Sequence, residues 1–313
     1  MKRFLCGLLA LGLYVGGAGQ ANAQSNYAFT RIAPPGSRGT DVRGINDVGQ
    51  IVGNYYDGRA GHGFLLSGGI YTPFDVPGAS GLTATAVNNS GQITGYSWTF
   101  GLLNHGFLLS GGSYTTFDVP SAITTQAHGI NDAGQIVGLY GVGRFPLPQG
   151  FLLSGSQYTT INMPGALSTE LYGINNAGEI VGTSYLGGFS LNGGIFTALH
   201  VPGSSSTFPR GINDAGQIVG GYETAVGGPD HGFLYSDGRY TTIDFGFGTI
   251  LYGINNAGQI VGTSEAGGFL ATPTPEPDTL LLLSIGALGV IGWTRLRHSR
   301  TDSTLRAPSA AIP

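Results

Sequence analysis

The sequence contains almost no cysteine and almost no lysine. Among 313 residues, Cys6 is the only cysteine and Lys2 the only lysine. Beyond Cys6 the chain therefore has no thiol that could form a disulfide, act as a nucleophile or ligate a metal. A domain formed by the rest of the chain must be held together by its hydrophobic core, and roughly 250 residues are enough to bury one.

Charge is also scarce. Only 10% of the residues are charged, while 41% are hydrophobic, a balance that argues against disorder. Between Gln24 and Pro277, seven arginines face ten aspartates and five glutamates, a net charge of −8. No basic stretch occurs in this part, so nucleic acid is not an expected partner. The 57 glycines, dispersed between short apolar runs, instead indicate many short strands joined by tight turns.

Local catalytic motifs are missing as well. The chain has no Gly-x-Ser-x-Gly elbow, no His-Glu-x-x-His and no P-loop. Its glutamates show no paired motif of the kind a glycosidase needs. We expect a protein without enzymatic activity and without a cofactor. The alternative is a polysaccharide-active hydrolase or lyase whose site converges from separate loops, with Glu223 or Asp230 as its carboxylate.

The N-terminus has the three parts of a signal peptide. Lys2 and Arg3 are basic, Phe4 to Val15 is apolar, and Ala21-Asn22-Ala23 is a small-x-small cleavage site. We therefore predict a signal peptide over residues 1–23 and export of the chain from Gln24 onward. An uncleaved membrane anchor is the alternative.

Near the C-terminus, residues 273–300 read PTPEPDTLLLLSIGALGVIGWTRLRHSR. The apolar run from Thr279 to Trp293 would reach about 22 Å as a helix, at ~1.5 Å per residue. That is short of the ~30 Å hydrocarbon core of a bilayer, so the run is marginal as a permanent span. The arginines that follow would keep this end cytoplasmic and leave the preceding domain outside.

This order of elements resembles the PEP-CTERM sorting signal of Gram-negative bacteria. The residues that carry the resemblance are Pro275, Glu276, Pro277, Arg295, Arg297 and Arg300. It implies recognition and removal by the membrane protease exosortase. The protein would then be anchored transiently in the inner membrane before it reaches the cell surface or the exopolysaccharide matrix of a biofilm. The polar tail 301–313 departs from the pattern, and an ordinary C-terminal anchor is the alternative.

A ten-residue phrase recurs six times in the middle of the chain. GINDAGQIVG occupies residues 129–138 and 211–220, and near copies begin at residues 44, 86, 173 and 253. The first asparagines of the six phrases are spaced by 42, 43, 44, 38 and 42 residues. A period near forty indicates a repeat architecture.

A second phrase, HGFLLSGG followed by YTTFDVP or a variant, interleaves with the first. Each unit then contains four short strands, predicted in the third unit at residues 126–131, 135–140, 150–154 and 158–163. Asn-Asp-x-Gly and Ser-Gly-Gly supply hairpin turns, because Asx side chains bond nearby backbone NH groups and Gly takes positive φ. Four antiparallel strands in about 40–45 residues match one blade of a β-propeller.

The two ends of the repeat region complement each other. The sixth unit stops after residues 267–272 and lacks its fourth strand, whereas residues 27–36 (YAFTRIAPPG) look like that strand. We therefore predict an all-β, six-bladed propeller over residues 24–272, with the last blade closed by the N-terminal strand. An open β-solenoid is the alternative. The phenylalanines predicted to pack between blades are Phe64, Phe107, Phe151, Phe189, Phe233 and Phe269.

Together the two phrases resemble the HAF-repeat extracellular proteins, which are named for a His-Ala-Phe motif. Here the triplet is His-Gly-Phe at residues 62–64, 105–107 and 231–233. The resemblance covers nearly all of residues 44–271. It implies a secreted repeat fold and no particular reaction.

Binding is expected on the propeller face where the connections are irregular, because variable loops on a regular scaffold usually carry function. Trp98 and Phe100 are candidates for stacking on a sugar or an apolar partner, unless their loop folds onto its own aromatics. The remaining candidates are Arg59, Arg144, Phe145 and Arg210, with Phe208 and Arg210 placed in a link between blades. Exopolysaccharide and envelope proteins are the expected partners, and membrane contact is expected only through the sorting helix.

No metal site is expected. His62, His105 and His231 open the third strand in three different blades, too far apart for zinc ligands at about 2.0–2.1 Å. The turn residues Asp47, Asp132 and Asp214 correspond to asparagines in the other units, which a calcium site would not tolerate.

Overall fold

The computed structural model describes residues 26–99, 103–144 and 146–274. Within these ranges 24 β-strands form six four-stranded antiparallel sheets. The sheets are the blades of a six-bladed β-propeller, as the repeat predicts. No helix in the described ranges is long and apolar enough to cross a membrane.

Strand β1 (Tyr27–Arg31) precedes the first complete blade. Blade 1 contains β2 (Gly39–Ile45), β3 (Ile51–Tyr56), β4 (Gly61–Ser67) and β5 (Ile70–Phe74). Blade 2 contains β6 (Gly81–Val87), β7 (Ile93–Trp98), β8 (Asn104–Ser110) and β9 (Ser113–Phe117). Blade 3 contains β10 (Thr124–Ile130), β11 (Ile136–Gly141), β12 (Gln149–Ser154) and β13 (Gln157–Ile161).

The second half of the ring repeats this order. Blade 4 contains β14 (Thr169–Ile174), β15 (Ile180–Ser184), β16 (Gly187–Asn192) and β17 (Ile195–Leu199). Blade 5 contains β18 (Ser206–Ile212), β19 (Ile218–Glu223), β20 (Asp230–Ser236) and β21 (Arg239–Thr242). Blade 6 contains β22 (Ile250–Ile254), β23 (Ile260–Ser264) and β24 (Gly267–Pro273), completed by β1.

The connections divide between two faces of the propeller. We call the face with the short turns after the first and third strand of each blade the ring face. The opposite face, which carries the connections from second to third strand and from blade to blade, is called the loop face. The connections from second to third strand span residues 57–60, 99–103, 142–148, 185–186, 224–229 and 265–266. Their unequal lengths make the loop face irregular, whereas the ring face is nearly uniform.

The hydrophobic core lies between adjacent blades. The six recurring phenylalanines are fully buried, as predicted. One core cluster joins Val52 of blade 1 to Phe107 of blade 2, and another joins Val137 of blade 3 to Phe189 of blade 4. Each phenylalanine is thus a contact between neighbouring blades, and such large aromatic side chains dominate the energetics of a core.

Each complete inner strand contains a β-bulge just before the Gly-Ile-Asn phrase. In blade 3 the register shifts between Ala127 and Gly129, which leaves His128 as the bulged residue. A Cβ at Gly129 would lie 2.7 Å from the carbonyl oxygen of Tyr172 in the next blade. Glycine at this position therefore lets two inner strands approach closely, while the bulge turns the preceding side chain toward the propeller axis.

A closed hydrogen-bond cycle joins the six blades at the ring face. The asparagine of each phrase is nearly fully buried. Its side-chain Nδ2 donates a hydrogen bond to the backbone carbonyl of the matching asparagine in the next blade, at 2.8–3.2 Å. The bond from Asn255 to the carbonyl of Asn46, at 3.1 Å, closes the cycle. The Oδ1 of Asn46 also accepts from the backbone NH of Gln50 (2.8 Å), which is the Asx-turn bond expected from the sequence. The bond between blades was not expected.

The next residue of each phrase forms a second cycle, in which aspartate and asparagine alternate. Its members are Asp47, Asn89, Asp132, Asn176, Asp214 and Asn256. The Nδ2 of Asn176 donates to Asp132 and to Asp214, each at 2.9 Å, and the other two asparagines bridge their neighbours in the same way. From the sequence, a charge at this turn position looked optional, because aspartate and asparagine both occur there. In the structure, aspartate acceptors and asparagine donors alternate strictly around the axis.

This alternation predicts the effect of one substitution. In Asn176→Asp, a carboxylate without a proton would replace the amide that donates to two carboxylates. Because Asn176 is exposed, water weakens each of these bonds, and we expect a loss of about 1 kcal/mol at pH 7. Thermal unfolding should shift down by about 2–4 °C. The matched control is Asn192→Asp, an exposed residue that ends β16 on the same face, and equal melting of the two variants would contradict a stabilising cycle.

Strand β1 closes the ring. It pairs antiparallel with β24, from Tyr27 opposite Pro273 to Arg31 opposite Phe269. Phe29 stacks on Phe245 at 5.2 Å between ring centroids and meets Phe269 edge-on at 5.7 Å. The N-terminal strand therefore supplies both backbone pairing and core contacts to blade 6, which confirms the predicted closure.

Removal of residues 24–36 should destabilise the whole domain. The variant would lose the packing of Phe29 and of the buried Ile32, and it would expose β24 as an unpaired edge. Loss of a buried isoleucine such as Ile32 costs about 2–5 kcal/mol, and loss of the half-buried Phe29 and of the strand pairing adds to it. We therefore expect melting to fall by about 10 °C or more, measured by circular dichroism. A truncated protein that melts like the intact one would show that the strand does not stabilise the ring.

Candidate functional site

The bulged residues of the inner strands converge on the propeller axis. They are Arg43, Thr85, His128, Tyr172, Arg210 and Tyr252, one from each blade. Together with Tyr96 they line a cavity of about 120 Å³, which we call the axial recess. Two cationic and four aromatic or imidazole side chains thus meet in one small space.

A ring of aliphatic side chains closes the recess toward the ring face. It consists of Ile45, Val87, Ile130, Ile174, Ile212 and Ile254, all 5–8% exposed. A second cavity, of about 70 Å³, lies beyond them against the asparagine cycles. Because these side chains separate the two cavities, a ligand can reach the recess only from the loop face.

The two arginines of the recess differ in their partners. Arg43 forms an ion pair with Asp41, with Nη2 and Nε at 2.5 and 2.7 Å from Oδ2, and its guanidinium lies over the Tyr252 ring at 4.5 Å. Arg210 lies over the Tyr172 ring at 3.9 Å, and no described carboxylate forms an ion pair with it. Its buried Nε has no hydrogen-bond partner among the described residues. Arg210 is therefore the charge in the recess without a direct counter-ion.

His128 also lines the recess, as a neutral imidazole. Burial lowers its pKa to about 3, with help from the charges of Arg210 and Arg43 and against its hydrogen bond to Leu171. Its Nδ1 lies 3.0 Å from the Leu171 carbonyl oxygen. Since a carbonyl only accepts, Nδ1 carries the proton, and Nε2 is left as an acceptor. The ring stacks on Tyr172 at 4.8 Å between centroids, so one of its edges borders the recess.

Carboxylates flank the arginines on the side toward the loop face. Tyr172 donates its hydroxyl proton to Glu170. Farther out, Asp230 pairs with Glu223 across β19 and β20. Burial and the nearby charge of Glu223 raise the pKa of Asp230, while Arg210 and His231 oppose the rise. The approach to the recess therefore carries negative charge as well as hydrogen-bond acceptors.

A radial groove leads outward from this region between blades 4 and 5. Its volume is about 460 Å³, and its walls include Tyr185, Leu186, His200, Ser205 and Phe208. Tyr185 and Leu186, in the short β15–β16 connection, are 72% and 59% exposed. Phe208 lies in β18 two residues before Arg210, so the groove and the recess share one strand. A chain-like ligand could contact both.

The residues proposed from the sequence are not brought together. Trp98 ends β7 and lies half-buried against Gly81, where a Cβ would be only 2.4 Å from the indole. This packing favours the alternative in which the aromatic covers its own blade. Arg59 and Arg144 are exposed in loops of blades 1 and 3, and Phe100 and Phe145 lie outside the described residues. Arg210 and Phe208 belong to the inner strand β18, so their predicted placement in a link between blades was wrong.

The other members of the recess were not among the residues expected from the sequence. Five of them stand directly before the Gly-Ile-Asn phrase or its Ala-Val-Asn variant, and Tyr96 lies in β7. The residues upstream of this position vary between units just as much, so no local signal in the sequence distinguished it.

The repeated histidines bind within their own blades. The Nδ1 atoms of His62, His105 and His231 lie 2.8–2.9 Å from carboxylate oxygens of Asp75, Asp118 and Asp244. Each pair joins the start of the third strand to the end of the fourth. No group of three potential metal-ligating side chains occurs in the described part of the chain.

The low pKa of His128 predicts a specific acid sensitivity. The unfolded chain binds a proton at this histidine near pH 6.5, whereas the folded protein binds it only near pH 3. The free energy of unfolding should therefore have its full value above about pH 6.5. It should decrease toward pH 3 by up to ~1.4 kcal/mol per pH unit. His128→Gln, which does not titrate, should flatten this part of a melting-temperature profile. His200→Gln, at an exposed site, is the control, and identical profiles for both variants would contradict the buried neutral state.

The C-terminal part of the chain matches a known sorting signal. Residues 273–296 match the PEP-CTERM protein-sorting motif, which confirms this part of the sequence prediction. The match includes Pro275, Glu276, Pro277 and Arg295, while Arg297 and Arg300 follow it; all six lie outside the described residues. A comparison with curated proteins found no match. The likeness to HAF-repeat proteins and the signal peptide remain predictions.

Solved structures share the propeller at low sequence identity. A putative TolB from Agrobacterium tumefaciens superposes with a TM-score of 0.56 at 13% identity, covering 76% of this chain and 91% of the other. A gluconolactonase from Xanthomonas campestris gives 0.50 at 13% identity, with 80% and 91% covered. An Aleuria aurantia lectin gives 0.45 at 13% identity, with 78% and 100% covered. At such identities the two superpositions with TM-scores of 0.50 or more show the fold alone.

Proposed function

We propose that this protein is exported and processed at its sorting signal by exosortase. It is then retained at the cell surface or in the exopolysaccharide matrix, where it binds polysaccharide through its loop face. The observation that carries the proposal is the axial recess. The guanidinium of Arg210, whose Nε has no partner among the described residues, and the acceptor Nε2 of His128 are groups that bond sugar hydroxyls, and aromatic rings line the space around them. A non-catalytic role fits a site built from stacking and hydrogen-bonding groups.

The size of the cavities limits the ligand. At about 120 Å³ the recess is smaller than the roughly 300 Å³ at the lower end of drug-sized pockets. It would hold a single sugar unit. The groove between blades 4 and 5 is larger, and its exposed Tyr185 offers a second stacking surface. We therefore assign one unit to the recess and the neighbouring units of the same chain to the groove.

Arg210 and Tyr185 allow the binding proposal to be tested. The exported protein would be titrated with bacterial exopolysaccharides and with their component monosaccharides by calorimetry. Arg210→Gln should reduce the affinity for both kinds of ligand about ten- to hundredfold, as expected for loss of a hydrogen bond to a charged group. Tyr185→Ala should reduce the affinity only for the polymers. Arg59→Gln, an exposed arginine of the same face, is the matched control, and equal affinities for all three variants would overturn the assignment of the recess.

A hydrolase or lyase is the second candidate, and the Glu223–Asp230 pair is the observation that favours it. A carboxyl group with a raised pKa next to another carboxylate is the arrangement used for acid–base cleavage of glycosides. The same incubations should therefore be assayed for new reducing or unsaturated ends. Products that disappear in Asp230→Asn would establish catalysis, whereas binding without products supports the non-catalytic role.

A further inference from the structure

Both ends of the described chain leave the propeller at the same point. Tyr27 starts β1 opposite Pro273, which ends β24. The backbone NH of Thr274 donates to the carbonyl oxygen of Asn26 at 2.8 Å. Because β24 runs from the loop face to the ring face, this point lies on the ring face of blade 6.

The sorting motif begins within the folded domain. Its first residue, Pro273, still pairs in β24. Only four residues, Pro275 to Asp278, separate the last described residue, Thr274, from the apolar run that begins at Thr279. Four residues span at most about 14 Å when fully extended. By contrast, the seven-residue strand β24 alone is about 23 Å long, at ~3.3 Å per residue.

We propose that, while the sorting segment anchors the chain in the membrane, the propeller is held with its ring face toward the bilayer and its loop face outward. The connection is shorter than the height of the domain, so the loop face cannot turn toward the bilayer. The inference rests on the anchoring step of the proposed function and is independent of the ligand. It makes the axial recess accessible from outside before the chain is released.

The two faces also differ in their exposed side chains. The ring face consists of short turns rich in glycine and serine, and its axial carboxylates are already bonded to asparagines. The loop face carries most of the exposed large hydrophobic side chains, with examples in every blade or adjacent link. They are Tyr56, Leu103, Ile123, Val142, Leu147, Leu167, Tyr185, Leu186, Val226 and Phe247. Such a surface fits a macromolecular partner, and the geometry directs it away from the lipid.

Single cysteines can report the orientation, because the described chain contains none. In a Cys6→Ser background, Val48→Cys would mark the ring face and Val226→Cys the loop face; these valines are 67% and 92% exposed. The full-length chain would be expressed in a host without the sorting protease. Spheroplasts would then be treated with a bulky, membrane-impermeant maleimide–polyethylene glycol.

The cysteine at position 226 should react several-fold faster than the cysteine at position 48 in spheroplasts, and both should react equally after detergent extraction. A flexible Gly/Ser insert of about 20 residues after Thr274, with an end-to-end distance of ~25 Å, should remove the difference. Equal reaction in spheroplasts, or protection of position 226 instead, would overturn the orientation. Absence of the chain from the membrane fraction would overturn the anchoring itself, while the binding experiments would still test the recess.

Discussion

The hydrogen bonds between blades at the ring face are the constraint on which the rest of the propeller depends. Each buried asparagine of the repeated phrase satisfies a carbonyl of the next blade, and the residue after it alternates between aspartate and asparagine. A cycle of alternating donors and acceptors closes only with an even number of members. Six blades satisfy this rule, and an open solenoid would leave a donor or an acceptor unpaired at each end. The members of this alternating cycle are exposed, whereas the asparagines that bond the backbone carbonyls are buried. Because an unpaired buried amide is costly, it is the buried cycle that favours the closed ring most strongly.

Different positions in and beside the repeated phrase support the scaffold and line the recess. The glycine, isoleucine and asparagine of the phrase pack against the neighbouring blade and vary little, since only unit 2 departs from them, with Ala86 and Val87. The bulge just before them turns one side chain to the axis, and this residue differs between units. Each bulged residue has its own partners, such as Asp41 for Arg43 and the Leu171 carbonyl for His128. This is how a nearly uniform scaffold forms one asymmetric recess.

The position of the termini links the fold to export. Closure of blade 6 by the N-terminal strand brings Asn26 next to Thr274 and places the sorting motif directly beside a folded edge. In the proposed orientation, the strand pairing that closes the ring also decides which face lies near the membrane. Short turns occupy that face, and the irregular connections lie on the other. One topological choice thus underlies the stability of the ring and the proposed accessibility of the recess.

The amino-acid sequence alone predicted the strands, the number of blades, the closing strand, the buried phenylalanines and the sorting motif. These features follow from local periodicity and from turn chemistry, which act over a few residues and recur in every unit. The recess and the asparagine cycles could not be predicted, because they depend on contacts between residues 38–44 positions apart, or 209 apart where the ring closes. Arg210 was proposed for the wrong reason, as a loop residue, since only a register shift shows that it faces the axis. Tertiary structure decided which side chains meet, because a ring brings together residues that no spacing in the chain relates to one point.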